Sequence, residues 1–252
     1  MSYKKQHHFI PKFYLEGFCD QKNMIWTYHK NDLNKVHCQK PEKVASINKF
    51  YAIHNIDGTY SDNFEDALAD IVEAPASRPL QLLQEGKTLS NEDRERLSLF
   101  LAFLLVRTPS YRKFCEQQHN RELNLLLEAI AINKEYFQKW VDEYQDIHNE
   151  SLDDDIEHLR QEILNGNYPM QIHQNFSLEI MQKLAFSTAQ LFADMQWIII
   201  QATEDQYFFT SDNPVIVTKF KLYHPGLGMK DTSVFVPITK KVGLLMINSD
   251  TN

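Results

Sequence analysis

Two adjacent imidazoles open the most chemically loaded stretch of this chain, His7-His8-Phe9-Ile10-Pro11-Lys12-Phe13-Tyr14-Leu15-Glu16-Gly17-Phe18. Histidine titrates near neutral pH, so it serves as a general base or a metal ligand. On an extended strand neighbouring side chains point to opposite faces, so His7 and His8 cannot both ligate one ion from this segment. One of them could serve a site while the other packs or caps. Lys12 and Tyr14 follow within eight positions and are candidates for binding an anionic substrate. Ser211-Asp212-Asn213-Pro214 is the second cluster. Its Asp212 carboxylate could orient a histidine or hold a divalent cation, and its Asn213 amide could contact substrate. As a plain turn, the same residues would satisfy their own amides, with Pro214 starting a strand. Arg107 is the third candidate. It follows ten apolar or small residues, and a buried guanidinium requires a partner, which Asp212, Glu73 or a bound anion could supply. Glu73 itself lies just before Pro75, where a helix end could turn it toward a cleft.

Several standard chemistries lack their residues. No G-x-S-x-G elbow, G-x-x-x-x-G-K-[ST] loop or G-x-G-x-x-G fingerprint occurs. The His-His-x-x-Pro opening is similar to that of ββα-metal nucleases, and Asn23 and His29 come at tempting distances. That reading needs a helix bearing further ligands, whereas His29 sits in a strand pattern. Cys19, Cys38 and Cys115 form no C-x-x-C pair, which argues against a disulfide framework or a zinc site of usual spacing.

The elements that must position these residues follow from periodicity. Met24–His29 and Lys49–Ile53 read as strands, with a turn at Asn31-Asp32-Leu33-Asn34 between them. Helices dominate from Ser61. Pro75 and Pro79 are expected to break or kink the first. Ser90 and Asp93 form a capping box ahead of Leu97–Val106, which is apolar nearly all round and should be buried in a helical layer. Further helices are expected to Ile132, over Lys134–Tyr144, over Leu152–Leu164 with Asp153-Asp154-Asp155 in its first turn, and over Phe176–Met195. Five β-like runs close the chain: Trp197–Ala202, Tyr207–Thr210, Val215–Thr218, Val234–Pro237 and Val242–Ile247, with a tight turn at Glu204-Asp205. Pro225-Gly226-Leu227-Gly228 reads as a loop. The expected fold is α+β, a mainly antiparallel sheet from N- and C-terminal strands on a central helical layer, in a single domain over residues 1–252.

Composition is that of an ordinary globular protein, with 252 residues, 24% charged and 43% hydrophobic. With a mean hydropathy of −0.45 and no long apolar run, no membrane span is expected. Met1–Gln6 contains no apolar leader, so the expected location is cytoplasmic. The formal charge of −8 is uneven. Residues 1–50 hold nine lysines against four acids, a local +5, while residues 135–165 hold ten acids against two bases, a local −8. The whole chain is therefore no generic nucleic-acid binder, but an anionic substrate would favour the N-terminal face.

Taken together, the His7–Phe18 run, Arg107-Thr108-Pro109 and Thr210–Val215 resemble the domain-of-unknown-function 4238 family, found mostly in bacteria. The resemblance spans essentially the whole chain and implies no established activity. Members often continue past the last strand-like run, so a closing element is expected to be missing or shortened here. Two readings result. In the first, the chain is a hydrolase or nuclease-like enzyme acting on a phosphate-containing substrate. His7 or His8 would be the base, Asp212 would orient it or hold a divalent metal, and Lys12, Tyr14, Arg107 and Asn213 would bind substrate. In the second, it is a non-catalytic interaction protein in which both motifs are structural. Either way the three distant motifs are expected to converge in space, because buried polar groups need partners. The readings separate on whether an imidazole reaches Asp212 in an open pocket.

Overall fold

The computed structural model describes residues 6–149, 151, 155–168, 172–219, 227–229 and 232–248. The chain divides into two compact units, one of Met1–Arg112 with Leu178–Asn252, the other of Lys113–Ser177.

The first unit starts with β1 (Gln6–His8), a short helix α1 (Lys12–Leu15) and one 3-10 turn at Glu16–Phe18. Pro11 occupies the N-cap of α1, where a missing amide costs nothing, and its carbonyl accepts the Tyr14 and Leu15 amides. A hairpin follows, β2 (Ile25–His29) with β3 (Asp32–Gln39). The turn expected at 31–34 is thus shorter than anticipated, and most of it belongs to a polar, exposed strand that carries no apolar alternation. Next come β4 (Ser46–Asn48), β5 (Ile53–His54) and β6 (Tyr60–Ser61). The strand expected over Lys49–Ile53 is instead a turn, with Lys49 at φ 55° and only Ile53 in a ladder.

A continuous helical rod runs through α2 (Asn63–Ala67), a π-helical stretch Leu68–Glu73 and α3 (Ala74–Gln84). The two prolines therefore do not end it. The π stretch sits just ahead of Pro75, and such a widened turn relieves the clash and lost hydrogen bond that proline imposes. Pro79 falls four residues after Pro75, inside α3. Helix α4 (Asn91–Val106) begins with the anticipated capping box, in which Asp93 N–H donates to Ser90 Oγ at 3.1 Å. Its Leu97, Phe100, Leu101 and Leu104 are fully buried. They share one core with Met181, Ala185 and Phe192 of α8 (Gln174–Asp194).

Four antiparallel strands close this unit: β7 (Gln196–Gln201), β8 (Ile216–Lys219), β9 (Thr232–Pro237) and β10 (Val242–Ile247), in the order β7-β10-β9-β8. Val234, Val236, Leu244 and Met246 line its buried face with period two. Tyr207–Thr210 forms no ladder, although the Phe208 amide reaches Lys240 O at 2.9 Å. The architecture is α+β, as expected. The single combined sheet is not what forms. Among the described residues the N-terminal strands make separate two-stranded ladders, β1-β4, β2-β3 and β5-β6. Strands β1, β4, β5 and β6, of two or three residues each, are too short to seed a shared sheet.

The second unit is helical. It holds most of α5 (Pro109–Ile132), α6 (Lys134–His148) and α7 (Ile156–Leu164), around Ala131, Phe137, Val141 and Ile163. Asn133 caps α6 through the Tyr136 amide, and Asp155 caps α7 through the Glu157 amide. Of the anticipated acidic turn, Asp153 and Asp154 lie outside the described residues, as do Pro225 and Gly226 of the glycine loop. Arg160 ties the unit together, donating to Ala131 O at 2.7 Å and to Glu157 at 3.0 Å. Hydrogen bonds from Arg160 first, then Gln161 and Lys134, hold the Glu157 carboxyl down at about 2, against an ordinary 4.5.

A lowered carboxyl pKa stabilises the fold above its unfolded value and ceases to do so as pH falls through the folded one. Glu157→Gln is therefore expected to lower the midpoint of thermal unfolding, followed by helical circular dichroism, at pH 7. The difference should shrink between pH 4.5 and 2. A deficit that stays constant across that range would assign the effect to something other than charge.

Candidate functional site

The three sequence motifs do come together, within the first unit. The Arg107 side chain, 1% exposed at the C-cap of α4, is the joint. Its Nε donates to Phe9 O at 2.8 Å and its Nη2 to His8 O at 3.1 Å, so it grips the backbone of the first motif. Its Nη1 pairs with Glu73 at 2.8 Å, at the end of the π stretch. Of the two carboxylates foreseen for this guanidinium, Glu73 is the one it pairs with. One turn on, Ser110 Oγ donates to Asn213 Oδ1, joining the second and third motifs. Tyr14 OH closes the circuit, donating to Pro237 O at 2.5 Å and lying 3.3 Å from Thr210 Oγ1.

His7 is fully buried and stacks on Tyr51 with ring centroids 5.8 Å apart. The Tyr51 amide donates to its Nδ1 at 2.7 Å, so that nitrogen carries no proton. Nε2–H is then the donor to Asp62 Oδ1 at 3.2 Å. An imidazole beside a carboxylate resembles half a catalytic dyad, but a working dyad leaves its other nitrogen for the substrate. Here that nitrogen is occupied by the backbone. His8 is half-buried on the opposite face, as strand geometry requires, and its Nε2 lies 3.1 Å from Glu42 O. A carbonyl can only accept, so Nε2 of His8 holds the proton.

The remaining candidates are also engaged. Lys12 Nζ lies 2.7 Å from Glu42 and 3.8 Å from Glu16, all three exposed. The Glu42 hydrogen bond raises Lys12 and, reciprocally, lowers Glu42. Asp212 is exposed and accepts from its neighbour Asn213 Nδ2 at 3.3 Å. Among the described residues it pairs with no imidazole. Asn213 N–H donates to Ser211 Oγ at 3.1 Å, and Ser211 Oγ lies 3.0 Å from Asn213 O. This is the self-satisfied turn of the structural reading, followed by buried Pro214 and Val215. Burial pushes both the Tyr14 and Tyr51 phenols far above their ordinary range, so neither exchanges protons near neutrality. His29, the residue favouring a ββα-metal site, faces His37 across the β2–β3 hairpin, and a strand rather than a helix follows it.

The apolar residues of the first motif pack against every neighbour it meets. Phe9 meets Phe50, Phe13 meets Phe100 and Tyr14 meets Phe18. Ile10 and Leu15 are buried in the core. Gly17 lies so close to the turn after β9 that a Cβ there would meet Ile238 O at 3.0 Å, and its carbonyl accepts the Lys240 amide at 3.1 Å. Sequence reasoning missed Asp62, Tyr51, Glu42 and Ser110. Ser110 stood beside a recognised motif and Thr210 inside one, which was signal enough to include them. Nothing in the sequence pairs residue 7 with residue 62. Among the described residues no group of three or more His, Cys, Asp or Glu side chains is placed to hold a metal. No helix of the described residues is long and apolar enough to cross a membrane.

A family model described as "Protein of unknown function (DUF4238)" matches residues 6–252. No curated protein and no solved structure matches the chain.

Loss of His7 strands a buried backbone N–H and takes one partner from a largely buried carboxylate, so His7→Ala is expected to cost about 3 kcal/mol or more in urea unfolding. Arg107→Met, which strands Glu73 and two carbonyls, belongs in the same range, about 3–5 kcal/mol. Asp212→Ala should cost less than about 1 kcal/mol because its carboxylate is solvated. A tolerated His7→Ala beside a severe Asp212→Ala would reverse the assignment.

Proposed function

We propose, for a chain that belongs to the DUF4238 family of unknown function, that it is a non-catalytic interaction protein. In this reading the His-His and Ser-Asp-Asn-Pro motifs form a latch that holds the N-terminal segment on the helices and the C-terminal sheet. One observation carries it: both ring nitrogens of the fully buried His7 are spent on Tyr51 and Asp62. The same economy extends outward. Each of the three Arg107 nitrogens donates within the fold, to two carbonyls and Glu73, and Lys12 pairs with Glu42. A substrate-binding guanidinium would keep its fork open toward solvent, because bidentate recognition of a phosphate uses the same N–H groups.

A hydrolytic reading survives in a narrower form, favoured by one feature. His8 and Lys12 converge on Glu42, the first through its main-chain carbonyl and the second through its carboxylate. With Nε2–H fixed there, His8 Nδ1 has no partner among the described residues and is the one nitrogen of the pair able to accept a proton. Lys12 would then neutralise charge on a phosphate.

Turnover separates the two. Purified protein incubated with a chromogenic phosphodiester, ATP and RNA, with and without magnesium or manganese, is expected to release no product above buffer. Activity abolished by His8→Ala in a variant that unfolds at the wild-type urea concentration would instead establish the hydrolytic reading.

A further inference from the structure

The β2–β3 hairpin is a two-stranded ribbon with both edges unpaired among the described residues. Ile25 anchors its root in the core, at 6% exposure. Beyond that point the register places Trp26 opposite Cys38 and Tyr28 opposite Val36. Residues two apart on a strand share a face, so these four side chains form one surface. That surface is open: Trp26 is 56% exposed, Tyr28 63% and Val36 38%. Strands in soluble proteins ordinarily turn their aromatic side to a core, so an uncovered pair of rings marks a contact surface.

Its charge indicates the kind of partner. Lys22, Lys30, Lys35, Lys40 and Lys43 are all exposed on and around the ribbon. The five lysines outnumber the nearby acids, Asp20, Asp32 and Glu42, each of which has a partner within the chain. Asp20 accepts the Lys22 and Met24 amides and bonds the edge of the Trp26 indole, leaving the ring faces to stack, while Asp32 accepts the Asn34 amide and Glu42 holds Lys12. Lys30, Lys35 and Lys43 make no ion pair among the described residues. The formal −8 of the chain does not oppose an anion here. Residues 113–177 carry 5 basic and 13 acidic side chains, leaving 21 of each sign in the remainder. Flat rings flanked by unpaired lysines suit an unpaired nucleic-acid strand, whose bases stack on aromatic faces while its phosphates take the cations. A protein partner fits less well, since lysine is depleted from protein interfaces where aromatic residues are enriched. A duplex fits less well too, because its base faces are already stacked.

We infer that the β2–β3 ribbon binds single-stranded nucleic acid, with Trp26 and Tyr28 stacking on successive bases and Lys30 and Lys35 contacting phosphates. This supplies the partner that the interaction reading leaves open, and the ribbon would bind equally if His8 were catalytic, so binding and turnover fail separately. The test uses the full chain and fluorescein-labelled oligo-dT and oligo-U of about 20 nucleotides, longer than one such site. Anisotropy is expected to rise with either strand, or with one, which identifies it as DNA or RNA, and tryptophan emission should be quenched. Trp26→Ala/Tyr28→Ala should weaken binding at least about tenfold, with circular dichroism unchanged because both rings are solvated. Lys30→Glu/Lys35→Glu should weaken it and flatten its salt dependence. The inference is overturned by no anisotropy change with either strand, by equal affinity for duplex or heparin, or by full affinity in the ring variant. It is equally overturned if the ring variant abolishes self-association in sedimentation while the wild type ignores both oligonucleotides, since the face would then be a protein contact.

Discussion

A guanidinium taken out of water needs acceptors inside the fold, and the placement of Arg107 organises the first unit. It sits where helix α4 ends, so the negative end of that helix already favours a cation. Its fixed fork then selects three acceptors at once: the carbonyls of His8 and Phe9, and the Glu73 carboxylate. That choice sets where β1 crosses α4 and where the π stretch meets both. Ser110, three residues later, carries the constraint to Asn213 and so to the approach of β8. A lysine could not replace it, since a single ammonium cannot reach acceptors on two segments in one plane.

Active sites and structural latches draw on the same residue types, because each must satisfy polar groups away from solvent. The difference lies in what is left over. A site keeps a nitrogen, an oxygen or a cation uncommitted and faces it to a cavity. The His7 cluster keeps none, and the one buried polar atom near it without a partner among the described residues is the Tyr51 hydroxyl. That phenol lies too deep to ionise.

Much of this was legible in the sequence where local rules suffice. The capping box at Ser90, the all-round apolar α4, the helices to Leu164 and strands β7, β9 and β10 each carry a short-range signature that burial reinforces. The convergence of three motifs was legible too, from the need of Arg107 for partners. Pairings over long separations were not. The choice of Asp62 over Asp212 for an imidazole depends on how β1 lies against the turn at Tyr51, which no pattern of types encodes. Strand β3 escaped notice because a solvated ribbon needs no alternation, and Lys49 because a left-handed turn can hide inside an aromatic run. The prolines misled for a different reason. Their effect on a helix is local, and a π turn absorbs it without ending the rod.

The contacts of the first motif also order events in time. Tyr14 donates to Pro237, Cys19 O accepts from Lys240, and Gly17 fits against Ile238, each bridging more than two hundred positions. Loop closure over such spans comes late, after local helices have formed. On a ribosome the motif leaves the exit tunnel some time before these partners, more than two hundred positions further on, are made. Until then Phe9, Ile10, Tyr14 and Leu15 have nothing to cover one side of them. The nascent chain thus carries an exposed apolar segment while the intervening residues are made, the kind of surface that chaperones hold and that aggregates when they do not.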